Sequence, residues 1–373
     1  MKILIAHAYA GIGHKKAAEA IRDALKGYKD MDVKCIDVLD YTTRFFKFSY
    51  PSTYLFLIDR VPFLWGYLYY FFDIRLVDIV LAPLRRIFHN LQAKRFVRFL
   101  LDEKPDVVLC THFLPAEVVS DLKRKGLFSG RLITVVTDFI SHAFWMARHS
   151  DYFIVAIDRT KKDLLKRGIP EDKIKAMGIP CESKFSVTKG RAGLIKELGL
   201  EKGFFNLLMM GGGFGTGPVR DIIHSLSRES RIRDTIQVVV ICGKNKKLFD
   251  ELDSARKFLK LRLKVFGFMN NIDEFMEVSD CIITKSGGLT VSEALSKKLP
   301  MIITSPIPGQ ETRNCNILTG FGTAVRADRV EDVIDRVSEF IDRPEKIIGM
   351  KARINLLSYP NAARDIVSFI TNK

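Results

Sequence analysis

Residues 283–316 read ITKSGGLTVSEALSKKLPMIITSPIPGQETRNCN, and the order of elements inside this stretch decides the fold. The apolar run Cys281–Thr284 that leads into it is a short buried strand. Ser286-Gly287-Gly288 is a turn without side-chain bulk, and Thr290–Ser296 carries helical spacing. A second apolar strand, Met301–Thr304, comes next and ends in Pro306-Ile307-Pro308-Gly309. Strand, glycine turn, helix and strand in that order form the repeating unit of a parallel α/β sheet. The turn also carries chemistry. A helix N-terminus offers unpaired N–H groups and about half a positive charge, so Ser286, Gly287, Gly288, Leu289 and Thr290 are candidates to hold a diphosphate. Glu293, a turn further on, is placed to accept from ribose hydroxyls. Gln310, Glu311, Arg313 and Asn314 supply the mixture of donors and acceptors that a hexose requires.

The same alternation extends in both directions. Toward the N-terminus, short apolar runs at Ile3–Ala6, Val33–Val38, Val107–Cys110, Leu132–Val136 and Tyr152–Val155 alternate with helical patterns. After Pro180 the apolar period fades through Lys184–Gly193, a polar connector that reads as a hinge. A second series begins at Asn206–Met210 and continues through Gln237–Cys242 and Leu263–Phe266. The chain has 373 residues, more than one core usually supports, so two domains are expected, 1–187 and 188–357. Residues 358–373 end in one further helix.

Two glycine motifs sit where such sheets bind ligands. Gly11-Ile12-Gly13-His14 comes after the first strand and opens a helix through Ala17, Ala18, Ile21 and Leu25. A dinucleotide fingerprint would need its third glycine at Lys16, so NAD is disfavoured. The helix start should instead hold the His14 imidazole neutral and able to accept a proton, unless His14 is a polar structural residue. Strand Leu132–Val136 ends in Thr137-Asp138, with His142 and Trp145 shortly after; Asp138 either serves in the site or caps the next helix. His112, after Val107–Cys110, has the same ambiguity. The second motif, residues 211–217, places five glycines in seven positions before a helix and lacks the GKS or GKT of a P-loop, which argues against ATP hydrolysis.

The net charge of +16 asks for an acidic partner. Lys123-Arg124-Lys125 and Lys244–Lys247 are short and lack interleaved aromatics, so they read as solvated faces, not nucleic-acid contacts. The segment Arg44–Arg98 differs. Rings such as Phe63, Trp65 and Tyr69 alternate there with many arginines and lysines and few acids. That mixture suits an anchor on an anionic membrane surface, the alternative being a buried helical hairpin. No apolar run is long enough to span a bilayer. The six cysteines are scattered without CxxC spacing, as expected of free thiols, and Met1–Ala6, broken by the GIGH motif, reads as a strand and not a leader.

Taken together, GIGHKKAAEAI (11–21), VTDFISHAFW (136–145), MGIPCESKF (177–185), MMGGGFGTG (209–217), FGFMNNIDEFMEVSDCIITKSGGLTVSEAL (266–295) and PGQETRN (308–314) resemble the glycosyltransferases that make monogalactosyl- and glucosyl-diacylglycerol. These are relatives of the peptidoglycan enzyme that adds N-acetylglucosamine to lipid I. The motifs sample both halves of the chain in the family's order. The resemblance implies a GT-B fold: two doubly wound Rossmann-like domains facing across a cleft, acceptor and membrane in 1–187, donor in 188–357, and the last helix crossing back to the first domain. It implies a UDP-hexose donor, UDP-galactose or UDP-glucose, and a diacylglycerol acceptor. Transfer would proceed with inversion, without a metal or cofactor, on a peripheral protein at the cytoplasmic face of the cell membrane. His14 becomes the general base, aided by Asp138. Gly13, His112, His142 and Trp145 fall on the acceptor side with Phe63, Trp65 and Tyr69. Gly212 and Gly213 lie near the diphosphate or the incoming acceptor, Phe268 covers the uracil ring unless it is core, and Arg313 helps the leaving group. A polyprenyl-acceptor transferase or a UDP-sugar epimerase of the same fold is the alternative, and a non-catalytic nucleotide-sugar sensor a more distant one.

Overall fold

A computed structural model describes residues 1–9, 11–212 and 217–372. The chain divides into two compact units: residues 1–183 with 307–313 and 361–373, and residues 184–306 with 314–360. The expected boundary at 187 therefore moves to 183. The segment Ile307–Arg313, which enters the helix Gln310–Gly320 and is expected with the donor half, is counted with the first unit.

The first unit is built on a six-stranded parallel sheet, β1 (Lys2–His7), β2 (Asp32–Asp37), β3 (Val107–Cys110), β4 (Arg131–Val135), β5 (Tyr152–Val155) and β6 (Ile174–Ala176). Its order is β2-β1-β3-β4-β5-β6. Burial on both sheet faces explains the unbroken apolar runs. Alternate residues feed opposite layers: Ile3 and Ile5 pack with Ala18, Ile21 and Leu25 of α1 (Ile12–Leu25) and with Ile366, Val367 and Ile370 of the helix Ala362–Thr371. Leu4 and Ala6 face the other way, onto another core cluster. Four helices lie in the long β2–β3 connection, α2 (Arg44–Arg60), α3 (Pro62–Asp73), α4 (Arg75–Gln92) and α5 (Lys94–Glu103), and α6 (Phe113–Arg124) comes after β3.

The second unit repeats the plan with β7 (Phe205–Met210), β8 (Ile236–Ile241), β9 (Arg262–Phe266), β10 (Cys281–Thr284), β11 (Met301–Ile303) and β12 (Ala324–Arg326), in the order β12-β11-β10-β7-β8-β9. In each sheet the chain leaves one strand to both sides: β1 is flanked by β2 and β3, and β7 by β8 and β10. Loops after such strands diverge, and ligands bind in the opening at their C-terminal ends.

Candidate active site

The first opening is made by the ends of β1, β3 and β4. α1 begins at Ile12 with Gly11 as its cap, so His14 lies in the first turn, beside the end of β3. Its Nδ1 lies 2.8 Å from the carbonyl oxygen of Thr111 and 3.0 Å from the hydroxyl of Thr137. A carbonyl only accepts, so Nδ1 carries the proton and the lone pair resides on Nε2. The Thr111 hydroxyl donates back to the His14 carbonyl at 2.9 Å, locking strand end to helix start. Burial, opposed by the Thr111 carbonyl and assisted by nearby His7, lowers the His14 pKa from 6.5 to about 4. The ring is therefore neutral at pH 7, chiefly through desolvation and not through the helix start invoked from the sequence. The His112 ring meets that of His14 edge-on at 4.6 Å, and Trp145 lies at 6.2 Å.

The sequence pattern offers Asp138 to orient His14, to take the proton itself or to hold the acceptor. The His14 Nδ1 contacts come from Thr111, directly after β3, and Thr137, two residues beyond β4, neither with a role in that pattern. Asp138 accepts from the Trp145 indole N–H at 3.4 Å. His112 is buried, and its Nδ1 accepts from the Leu114 amide at 3.1 Å, capping α6. His142 is committed to the fold. Its Nδ1 accepts from the Phe144 amide and its Nε2–H donates to the Tyr69 carbonyl at 2.8 Å, so both nitrogens are engaged. Burial lowers its pKa to about 4.

The second opening lies between the ends of β7 and β10. Gly211 and Gly217 flank it, with Thr284, Lys285 and Thr304 lining a small pocket there. Gly213 lies outside the described residues. Gly212 has φ +70° and open space where a side chain would be, so the turn suits glycine and leaves room for a ligand. The helix Gly288–Ser296 starts at Gly288 with Gly287 as cap, two residues earlier than its spacing suggests, and points its first amides at this edge. Ser286 is buried and its carbonyl accepts from the Asn314 side-chain amide at 3.0 Å, which fixes the turn from below. Glu293 is partly buried in the second turn of that helix. Phe268 is 54% exposed, which removes the core alternative for that ring.

The segment Ile307–Arg313 runs from a short turn into the helix Gln310–Gly320, whose first turn carries Gln310 and Glu311. The Gln310 amide donates to the Tyr54 hydroxyl at 3.2 Å, and the buried Glu311 carboxylate accepts from the Ile307 amide at 2.9 Å. Arg313, expected to help a leaving group, is paired with Asp73 at 2.6 Å and stacked over the Tyr69 and Tyr70 rings. Of the three aromatics expected at a membrane, only Phe63 points out, at 87% exposed. The Trp65 ring packs edge-on against Tyr54 with its N–H buried, and Tyr69 is buried beneath Gly309 and His142.

The outward aromatics belong to a larger face. In α4, Leu76, Ile79, Val80, Leu84, Ile87 and Leu91 are all exposed while Asp78, Arg85 and His89 point inward. Arg85 pairs with Asp78 at 3.2 Å and Glu117 at 2.9 Å, and His89 Nδ1 meets Glu117 at 2.5 Å. The helix is thus inverted, with Asp78, Arg85 and His89 in the protein and its apolar stripe outside. No described helix is long and apolar enough to cross a membrane.

Two parallel sheets of this order, each open at its switch point, define a GT-B glycosyltransferase fold. Solved structures agree: Acinetobacter baumannii MurG superposes with a TM-score of 0.65 at 14% identity over 100% of this chain and 99% of that one. UDP-GlcNAc 2-epimerase from Neisseria meningitidis gives 0.62 at 15% identity over the whole of both chains. Residues 14–181 match the model of the monogalactosyldiacylglycerol (MGDG) synthase family, and residues 206–315 that of the glycosyltransferase family 28 C-terminal domain. The processive diacylglycerol beta-glucosyltransferases of Bacillus cytotoxicus and Bacillus cereus are each 31% identical over 99% of this chain and 93% of their own length. The chain belongs to this diacylglycerol glucosyltransferase family and is a glycosyltransferase.

Proposed function

We propose that the protein transfers a glucosyl group from UDP-glucose to the free hydroxyl of diacylglycerol, with inversion and without a metal ion or cofactor. The observation that carries this reading is His14, a neutral imidazole whose Nδ1–H is fixed on a carbonyl, so that Nε2 is available to a hydroxyl proton. UDP-glucose is α-linked and the relatives are named for a β-product, which a single displacement delivers. As the acceptor oxygen bonds to the anomeric carbon, its proton passes to His14 Nε2. The bond from that carbon to the phosphate oxygen breaks, and its electron pair leaves with UDP. Negative charge growing on UDP is met by the amides of Gly288, Leu289 and Thr290. Glu293 takes the ribose, Phe268 the uracil face, and Gln310 and Glu311 the hexose hydroxyls. Asn314 acts through the Ser286 carbonyl that it holds. Asp138, beside Trp145, faces the acceptor.

A lipid acceptor calls for a membrane surface, and the inverted α4 supports a peripheral one. Its apolar stripe, with Phe63 and Tyr67 of α3, is flanked by exposed Arg44, Arg60, Arg75, Lys94 and Arg95. Exposed apolar faces of this extent mark interaction sites, and cations beside them favour anionic lipid. The test is incubation of the purified protein with UDP-glucose or UDP-galactose and diacylglycerol vesicles, with and without a chelator, and then analysis of the lipids. A β-glucosyl lipid formed in the presence of chelator is expected. An epimerised UDP-sugar with no lipid product would overturn the proposal.

A further inference from the structure

The inner face of α3 grips one short segment, the Pro308-Gly309 turn and the start of the helix Gln310–Gly320, at several points. A side chain at Gly66 would come within 2.7 Å of the Pro308 Cβ, so helix and turn touch backbone to ring there. Gly309, at φ +95°, lies on the Tyr69 ring, where an added Cβ would be 2.7 Å from its Cγ. Arg313 Nη1 reaches Asp73 at 2.6 Å and its guanidinium stacks on Tyr69 and Tyr70. Asp73 is itself anchored, accepting from the Ala143 amide at 2.8 Å and from Arg167 at 3.0 Å. Burial opposes its charge, but the Arg167 hydrogen bond and the surrounding cations outweigh burial and keep the carboxylate ionised. The segment held in this way carries Gln310 and Glu311, and Gln310 is tied in addition to Tyr54 of α2.

We infer that α3 sets the position of the donor hexose, with Asp73 and Tyr69 as positioning residues that act through Ile307–Arg313. The inference rests on the assignment of Gln310 and Glu311 to the hexose. The contacts from α3 fall on Pro308, Gly309 and Arg313, on either side of Gln310 and Glu311, so the helix fixes the segment that carries the two polar side chains. The opposite side of α3 displays Phe63, Tyr67 and Phe71 outward, so one helix of twelve residues carries both the sugar platform and part of the lipid-facing surface.

The test compares Asp73→Asn, Gly66→Ala and Gln310→Ala in the full-length protein with diacylglycerol vesicles. Asp73→Asn removes the charge partner of Arg313 and of Arg167, while Gly66→Ala puts a better helix former in α3 and displaces Pro308. Readouts are KM for UDP-glucose, kcat, the inhibition constant of UDP and the melting temperature. All three variants are expected to raise KM roughly tenfold or more, because an ångström of misplacement can cost on the order of a hundredfold. UDP inhibition and melting should stay near those of the parent for Gly66→Ala. A raised KM in Gln310→Ala with unchanged KM in both α3 variants would overturn the positioning role alone. Unchanged KM in Gln310→Ala would remove the hexose assignment on which it stands. Parallel loss of UDP binding and melting temperature in both α3 variants would reduce the grip to a structural one and also overturn the inference.

Discussion

Replacing Val80 and Leu84 of α4 with aspartate should detach the protein from vesicles without unfolding it. The two side chains lie one turn apart on the outward stripe and are 68% and 63% exposed. Full burial of such a side chain is worth about 1.5–3 kcal/mol, so laying the exposed part in lipid contributes about 1–2 kcal/mol for each. Losing both removes about 2–4 kcal/mol, or roughly 30- to 700-fold in partition, before repulsion between aspartate and anionic headgroups is counted. The inward face of α4 stays intact, since Asp78, Arg85 and His89 keep their partners and the helix has no lower-energy way to turn over. Surface changes of this kind usually move stability by no more than about 0.5 kcal/mol. The assay is flotation with vesicles containing anionic lipid, paired with turnover of a dispersed short-chain diacylglycerol. Loss of flotation with turnover retained is the expected result. Flotation equal to that of the parent protein would refute the argument that the inverted stripe meets lipid.

Other consequences stem from the buried charges and the histidines. Glu117→Leu leaves Arg85 with Asp78 alone and removes the carboxylate that His89 meets, and should cost up to about 3–5 kcal/mol, read as a lower midpoint in urea. His14 and His142 have pKa values near 4 in the fold against 6.5 when unfolded, so the unfolded chain binds more protons between those values. Stability is thus complete above about pH 6.5 and falls as pH drops toward 4, by up to about 1.4 kcal/mol per pH unit for each ring. Melting curves across that range test the sign. For the same reason the acid limb of kcat/KM should fall near pH 4, and a limb near 6.5 would contradict the desolvated state of His14. Thr137→Val removes one of the two Nδ1 contacts while the Thr111 carbonyl remains, so kcat should fall by less than about tenfold.

The sheets are legible where apolar runs are long enough to be buried on both faces. β3, β5 and β10 coincide with their apolar runs residue for residue. β6 and β12 escape such a reading because each has three residues, of which only Ile174 and Ala324 are fully buried, and so short a stretch leaves no period. Helical periodicity marks a stripe but not the direction in which it points. The α4 stripe faces out because Glu117 of α6 holds the charges in, a partner 32 residues from Arg85. Trp65 and Tyr69 turn inward for a comparable reason, Tyr54 and the segment Ile307–Arg313 lying against them. The Asp73–Arg313 pair joins positions 240 residues apart, and no local pattern announces it. The site is legible to the extent that the residues just beyond a strand's C-terminal end are exposed to ligand. His14 and the turn at 286–290 stand out on that ground, whereas Thr111 and Thr137 do not, because a threonine after a strand carries no chemistry until its neighbour is known.

The proposed transfer depends most directly on His14. Turnover of UDP-glucose with diacylglycerol vesicles by His14→Ala, measured beside UDP binding by calorimetry, tests it in one comparison. General-base loss predicts a fall in kcat of about two to four orders of magnitude with UDP affinity unchanged. Turnover equal to that of the parent protein would contradict the assignment of the base.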